Sequence, residues 1–347
     1  MKETRGFPFF ILKNGTCGNF YFTMNNTKPP DFKTQFAEEI FKGLTSYPKK
    51  ISSKFFYDER GDELFQQIME LPEYYLTGKE YQILLRHREE IGDAFASMEG
   101  FDLIELGAGD GKKTKVLLRH FEEKNFDYKY LPVDISKNVL EQLSASLQQE
   151  IPAVEVEPQQ GTYGEVLSRL ADYRDRKKII LFLGSNIGNL TPQEAVVFLR
   201  KISSSMDEKD LFFMGVDQKK EPRVILDAYN DSAGVTEAFN KNLLVRMNRE
   251  LDADFEPDTF MHWPLYNPET GVAKSYLVST KEQTVQINSL DLEVHFQKWE
   301  TIHTEVSQKY DDTSIAWLAE EAGLEITGSW TDKESCFKNY LFKRTGS

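Results

Sequence analysis

Residues 105–114 read Glu105-Leu106-Gly107-Ala108-Gly109-Asp110-Gly111-Lys112-Lys113-Thr114. Glycines accept positive φ and let a ligand approach the backbone closely. The spacing is Gly-x-Gly-x-Gly, with Lys112 where a dinucleotide fingerprint has its last glycine. That favours S-adenosylmethionine over a nicotinamide. A turn with no ligand is the other reading. Asp134 follows the next apolar run. A carboxylate there accepts from both ribose hydroxyls of an adenosine. It also suits a helix N-cap, since Ser136 and Val139 follow. A third loop, Gly184-Ser185-Asn186-Ile187-Gly188-Asn189-Leu190-Thr191-Pro192, is longer and more polar than a strand-to-helix connection needs. In methyl transfer to nitrogen, an amide or carbonyl here would hold the acceptor amine. Sulfonium is already an activated leaving group, so positioning carries much of the rate. Asn189 would equally serve as a helix cap close to Pro192.

The elements that must position these loops follow from patterning. From about Lys79 to Lys219, short apolar runs alternate with helical segments, the βαβ pattern of a parallel sheet. Strands are expected at 103–106, 130–133, 154–156 (the weakest), 179–183 and 211–214. Helices are expected at 139–149 and 192–202. Thr77-Gly78-Lys79-Glu80 carries a capping-box signature ahead of a helix bearing Tyr81, Leu84, Leu85 and Ile91. The flanks differ. Two short helices (around Phe36 to Leu44 and Leu64 to Ile68) are linked by Phe55-Phe56-Tyr57. After Lys219 come helices near 224–229 and 236–251, then strand-like runs at 275–278, 292–294 and 301–306. This predicts an α/β domain over 79–219, inserted into a second, α+β domain made of 31–78 plus 220–347, after an arm of residues 1–30.

Composition narrows the function. The 347 residues carry 42 Lys+Arg against 56 Asp+Glu, a net charge of −14. This opposes a nucleic-acid groove, where phosphates call for Lys and Arg, and an anionic membrane surface. Two cysteines, Cys17 and Cys336, cannot build a disulfide scaffold or a Cys-rich zinc site. The five histidines are scattered and predict no metal site. No apolar run reaches the ~18–20 residues of a membrane span. A cytoplasmic protein acting on a small molecule is expected.

A further set of motifs occurs in order: Phe56-Tyr57-Asp58, Leu71-Pro72-Glu73-Tyr74-Tyr75, Glu105 to Gly109, Gly184 to Leu190, Ala228-Tyr229-Asn230-Asp231, Asn248-Arg249-Glu250-Leu251 and Thr304-Glu305-Val306-Ser307. With these, the chain resembles the histidine-specific Nα-methyltransferases of ergothioneine biosynthesis over about residues 32–345. The resemblance implies a Rossmann-like class I methyltransferase domain with a substrate-recognition domain, working as a monomer. It implies trimethylation of the α-amine of L-histidine to hercynine with S-adenosylmethionine. It assigns Gly107 and Lys113 to the amino-acid end of the cofactor and Asp134 to the ribose. Ala108, Gly109, Thr162 and Tyr163 complete the cofactor set, Thr162 standing where the family usually has an acid near the adenine amine. Asn189 and Tyr229 would hold the histidine carboxylate and orient its amine. Tyr57 and Tyr74 would line the amine side and carry its proton, directly or through water. Glu305 and Ser307 would read the imidazole. Two apart on a strand, they share a face, and a carboxylate with a hydroxyl satisfies both ring nitrogens. By itself the run also reads as an amphipathic strand with a solvated face. Ser275 replaces a Met that the best-known members place against the substrate ring, leaving room or a water there. The rival readings are another aromatic amino acid or a histidine derivative as acceptor, a cofactor binder without turnover, and a nicotinamide oxidoreductase.

Overall fold

The computed structural model describes residues 22–24, 32–170 and 176–346. In chain order the elements are β1 (Phe22–Met24), α1 (Gln35–Leu44), β2 (Lys49–Lys50), α2 (Glu59–Glu70), α3 (Tyr75–Phe95), β3 (Phe101–Leu106), α4 (Thr114–Glu123) and β4 (Tyr128–Asp134). They continue with α5 (Lys137–Glu150), β5 (Gln159–Gln160), α6 (Tyr163–Leu170), β6 (Lys177–Phe182), α7 (Pro192–Ser204), β7 (Leu211–Asp217), α8 (Pro222–Asp227) and α9 (Val235–Leu251). The last part holds β8 (Phe260–Asn267), β9 (Val272–Ser279), β10 (Gln283–Ile287), β11 (Leu292–Phe296), β12 (Thr301–Gln308), α10 (Asp312–Ala322), β13 (Leu324–Thr331) and β14 (Phe337–Arg344).

Near-continuous apolar strands require cover on both faces. They form a seven-stranded sheet in the order β13-β14-β7-β6-β3-β4-β5, parallel from β7 to β5. Ile104 and Leu106 of β3 pack into one layer with α7 and α10, while Phe101 and Leu103 pack into the opposite layer with α3, α4 and α5. Burying each such side chain contributes roughly 1.5–3 kcal/mol. The strand order reverses direction between β3 and β6, so the crevice beyond their carboxyl ends is the ligand position of this architecture. Both polar loops singled out in the sequence open there.

The second domain contains a four-stranded sheet, β2-β12-β9-β8, and a three-stranded sheet, β1-β11-β10. Helices α1, α2 and α9 share one core with them through Ile40, Leu64, Leu243, Leu277 and Ile302. Backbone hydrogen bonds stitch the junction. Tyr310 donates its N–H to the Asp217 carbonyl at 2.9 Å, and Lys219 donates to the Tyr310 carbonyl at 2.7 Å. The end of β12 is thereby held against the carboxyl end of β7.

Three expectations need correction. The C-terminal hairpin, assigned by patterning to the second domain, lies in the large sheet, with β14 antiparallel to β7. It covers what would otherwise be an open, fully apolar edge. The strand expected at 154–156 reduces to a single bridge from Val156 to Tyr130, and the two-residue β5 takes the edge. Helix α3 begins at Tyr75 with Tyr74 as its cap residue, so Thr77 and Glu80 lie inside the helix and form no capping box. The arm expected at 1–30 lies outside the described residues except for β1, which pairs with β11. Among the described residues, no helix is long and apolar enough to cross a membrane, and no group of three or more His, Cys, Asp or Glu could hold a metal ion.

Candidate active site

The glycine loop leaves β3 and is tied to β4, Gly107 and Ala108 both donating to the Val133 carbonyl at 2.8 and 3.2 Å. Gly107, Gly109 and Gly111 have φ of +75°, +55° and +65°, a region that costs any other residue strain. A Cβ on Gly109 would meet no atom within 4 Å, so the loop presents open space there. At Gly107 a Cβ would lie 2.5 Å from the Tyr163 hydroxyl. Tyr163 cannot retreat easily, because its ring packs edge-on against Phe182 and tilted against Phe198. Gly107→Ala is therefore expected to weaken S-adenosylhomocysteine binding about tenfold or more, measured by calorimetry, from strain and crowding together.

Beneath the loop, Glu105 accepts from Thr114 Oγ1 at 2.6 Å and from the Tyr130 hydroxyl. Burial pushes its carboxyl up to about 7, against the pull of those two donors. Burial, with the nearby charge of Asp134, also pushes the Tyr163 phenol up to about 12. Asp134 ends β4, and its Oδ1 accepts from the Ser136 N–H at 2.9 Å. The N-cap of α5 is Ser136, whose hydroxyl accepts from Val139 N–H. The capping alternative for Asp134 therefore falls away, and its second oxygen has no partner among the described residues. Thr162 instead acts locally, capping α6 through hydrogen bonds exchanged with Glu165.

Lys113 reaches Glu80 Oε2 at 2.6 Å. Glu80 is completely buried, and it also accepts from Gly184 N–H at 2.7 Å and from Asn339 Nδ2 at 3.0 Å. One carboxylate of α3 thus joins both ligand loops and β14. Its role was hidden in the sequence behind the apparent capping box.

The acceptor side is built from the second domain and the loop after β6. That loop makes a 3-10 turn, Asn186–Asn189. Helix α7 is capped by Thr191 in a capping box with Glu194, so Asn189 is not its cap; it ends the turn with its side chain exposed. Tyr57 packs edge-on to Phe65 and Phe239, and Tyr74 packs against the other side of Phe65. Tyr57 is 44 % exposed, the rest of its ring packed against these two phenylalanines. Burial, then the negative charge of Glu305, raises the Tyr57 phenol. Burial raises Tyr74 as well, with Tyr229, Tyr57 and Glu305 adding to it. Both phenols therefore stay protonated near neutrality.

Glu305 lies directly across from Ser275 in the β12–β9 pair, beside a bulge. Ser275 Oγ donates to Glu305 Oε2 at 3.0 Å. The serine is buried and fixes the carboxylate, where the sequence alone suggested room or a water. Burial raises the Glu305 carboxyl, opposed by the Ser275 bond and by Lys309. Ser307, further along β12, sits against the turn: a Cβ on Gly188 would lie 3.5 Å from its Oγ. Lys309 Nζ donates to Tyr229 Oη at 2.8 Å and to Ser307 Oγ at 2.9 Å, and pairs with Asp217 Oδ2 at 2.8 Å. Lys309 and Asp217 escaped the sequence reading. The available signal was that Lys309 continues the every-second-residue series of 305 and 307.

These features define a class: a Rossmann-like methyltransferase whose glycine loop suits S-adenosylmethionine. The chain belongs to the histidine-specific, S-adenosylmethionine-dependent methyltransferases, matching that family over residues 36–344. It is 37 % identical over 299 residues to a histidine N-alpha-methyltransferase of Mycolicibacterium smegmatis, covering 86 % of this chain and 92 % of the relative. Identity to the histidine N-alpha-methyltransferase of Mycobacterium tuberculosis is 35 %, with the same coverage. Ergothioneine biosynthesis protein 1 of Neurospora crassa is 29 % identical over 295 residues, which are 82 % of this chain and 32 % of that protein.

Proposed function

We propose that this enzyme methylates the α-amine of L-histidine three times, giving hercynine for ergothioneine biosynthesis. The observation that supports it most is Glu305, a carboxylate fixed by Ser275 on the same strand as Ser307, near enough to Tyr57, Tyr74 and Tyr229 for its charge to raise their phenols. An apolar ring such as that of phenylalanine would leave that carboxylate unpaired, at a cost of the order of 1–3 kcal/mol or more. An imidazole N–H satisfies it.

S-adenosylmethionine, when bound, supplies a methyl group on a positively charged sulfur. Gly107, Ala108 and Gly109 would cradle its amino-acid end with Lys113, Asp134 would take the ribose hydroxyls, and Tyr163 would border the loop. Asn189 and Tyr229 would hold the substrate carboxylate, leaving the amine between Tyr57 and Tyr74. The amine must shed a proton before each transfer, and its reference pKa of about 8 leaves a usable free-base fraction at neutrality. Water takes that proton, while Tyr57 and Tyr74, as neutral phenols, accept hydrogen bonds from the amine N–H groups and hold the amine in line.

The direct test is mass spectrometry after incubation with S-adenosylmethionine and the twenty amino acids together. Three methyl-for-hydrogen exchanges on histidine alone are expected; modification of a different amino acid would overturn the assignment of Glu305 and Ser307. The pH dependence has a defined sign. Acid protonates the amine and then Glu305, whose carboxyl titrates above its ordinary value. Accordingly kcat/KM should rise with pH between about 5 and 8 and then level off. An alkaline fall below about pH 9 would show instead that Tyr57 or Tyr74 ionises in the working range.

A further inference from the structure

Lys309 bridges two residues assigned to the acceptor, Tyr229 and Ser307. Its ammonium is fully buried, and its three N–H bonds go to three oxygens: Asp217 Oδ2, Tyr229 Oη and Ser307 Oγ. Asp217 is in turn held by the Tyr75 hydroxyl at 2.8 Å and by Lys220, which also donates to the Gln218 carbonyl at 2.6 Å. Two ammonium groups thus face one carboxylate. The Lys309 ammonium lies 2.8 Å from the hydroxyl of Tyr229, the residue assigned to the substrate carboxylate. The Tyr229 backbone is fixed from the other side, its carbonyl 2.8 Å from His262 Nε2.

The hydrogen-bond count constrains the two hydroxyls. Each oxygen spends a lone pair on Lys309, and at most one of the two hydroxyls can donate to the other. At least one O–H proton must therefore point out of the cluster. A cation 2.9 Å from Ser307 Oγ also opposes a second positive charge on a ring placed against that oxygen. Glu305, on the same strand and held by Ser275, accepts an N–H and donates nothing when ionised.

We propose that Lys309 is a positioning residue that holds the Tyr229 and Ser307 oxygens and leaves the Ser307 hydroxyl to donate to the ring, so that histidine binds with a neutral imidazole, protonated toward Glu305 and unprotonated toward Ser307. This rests on the assignment of Glu305 and Ser307 to the imidazole. It adds to that assignment the charge state and tautomer that the pocket accepts, and a residue that touches no substrate.

The experiment is nitrogen NMR of ring-labelled histidine bound to the full chain with S-adenosylhomocysteine, near neutral pH. One pyrrole-type and one pyridine-type nitrogen are expected. Two pyrrole-type signals, an imidazolium, would overturn the proposal while leaving histidine as the substrate. Failure of histidine to bind at all would overturn the underlying assignment instead. The companion variant is Lys309→Met. Because it strands Asp217, Lys309→Met with Asp217→Asn is made alongside. In whichever variant retains S-adenosylhomocysteine binding, KM for histidine should rise about 10- to 100-fold, with a smaller change in kcat. The two nitrogen signals should also move toward an averaged or imidazolium pattern. An unchanged KM and an unchanged nitrogen spectrum in such a variant would refute the role of Lys309. If neither variant binds S-adenosylhomocysteine, the wild-type spectrum decides alone.

Discussion

Glu305→Ala is expected to lower kcat/KM for histidine about a thousandfold while leaving cofactor affinity nearly unchanged. The removed carboxylate is the proposed partner of an imidazole N–H, and a buried donor left unpaired loses a charge-assisted bond and carries its desolvation cost as well. Ser275 loses its acceptor in the same step. The glycine loop and Glu80 are on other elements and keep their bonds, so S-adenosylhomocysteine titrations should match wild type. Selectivity should fall further than the rate for an apolar acceptor does, because phenylalanine never used the carboxylate. Sites built to hydrogen-bond a substrate reject analogues lacking the group by roughly 10⁴ or more, and that margin is what the alanine removes. Competition between histidine and phenylalanine in one reaction measures it. A histidine rate within tenfold of wild type would mean that the ring is held elsewhere.

The second large effect is expected at a residue that touches no substrate. Glu80→Ala strips the partner from Lys113, the Gly184 N–H and Asn339 at once. Breaking a buried ion pair on one side costs about 3–5 kcal/mol. That should lower the melting temperature by about 10 °C and weaken S-adenosylhomocysteine binding about a hundredfold, since both ligand loops lose their common anchor. Glu80→Gln separates the two effects. It keeps an oxygen for Gly184 or Asn339, but its amide N–H groups oppose the Lys113 ammonium. Stability should therefore recover more than binding does. The neighbouring strand is fitted to this carboxylate: a Cβ on Gly215 of β7 would lie 1.8 Å from Glu80 Oε1. Calorimetry and thermal melts of both variants decide it, and wild-type binding in Glu80→Ala would remove Glu80 from the cofactor site.

The parallel sheet was legible because its strands are short, almost wholly apolar runs separated by helical periodicity. β3, β4, β6 and β7 each extend the expected strand by only one to three residues at an end. The glycine loop and Asp134 stood out because their positions at strand ends restrict what they can do. What patterning missed shares one cause. The hairpin β13–β14 and the edge strand β5 depend on which neighbour is free to pair, and pairing over long sequence separations leaves no local signature. Two ambiguities of the sequence were of the same kind. Asp134 and Asn189 each had a capping alternative, and only the placed helices showed Ser136 and Thr191 in that role.

Local spacing carried the fold class and the nature of the cofactor loop. Glycines follow a strand, an acid closes a strand, and a carboxylate and hydroxyl stand two apart. How those residues are held was settled only by contacts between distant parts of the chain. Glu80 is 33 residues from Lys113, 104 from Gly184 and 259 from Asn339, and Tyr229 is 80 from Lys309. A buried charge can persist only where the fold brings it partners, so the groups that fix the site are the ones whose function no stretch of sequence could display.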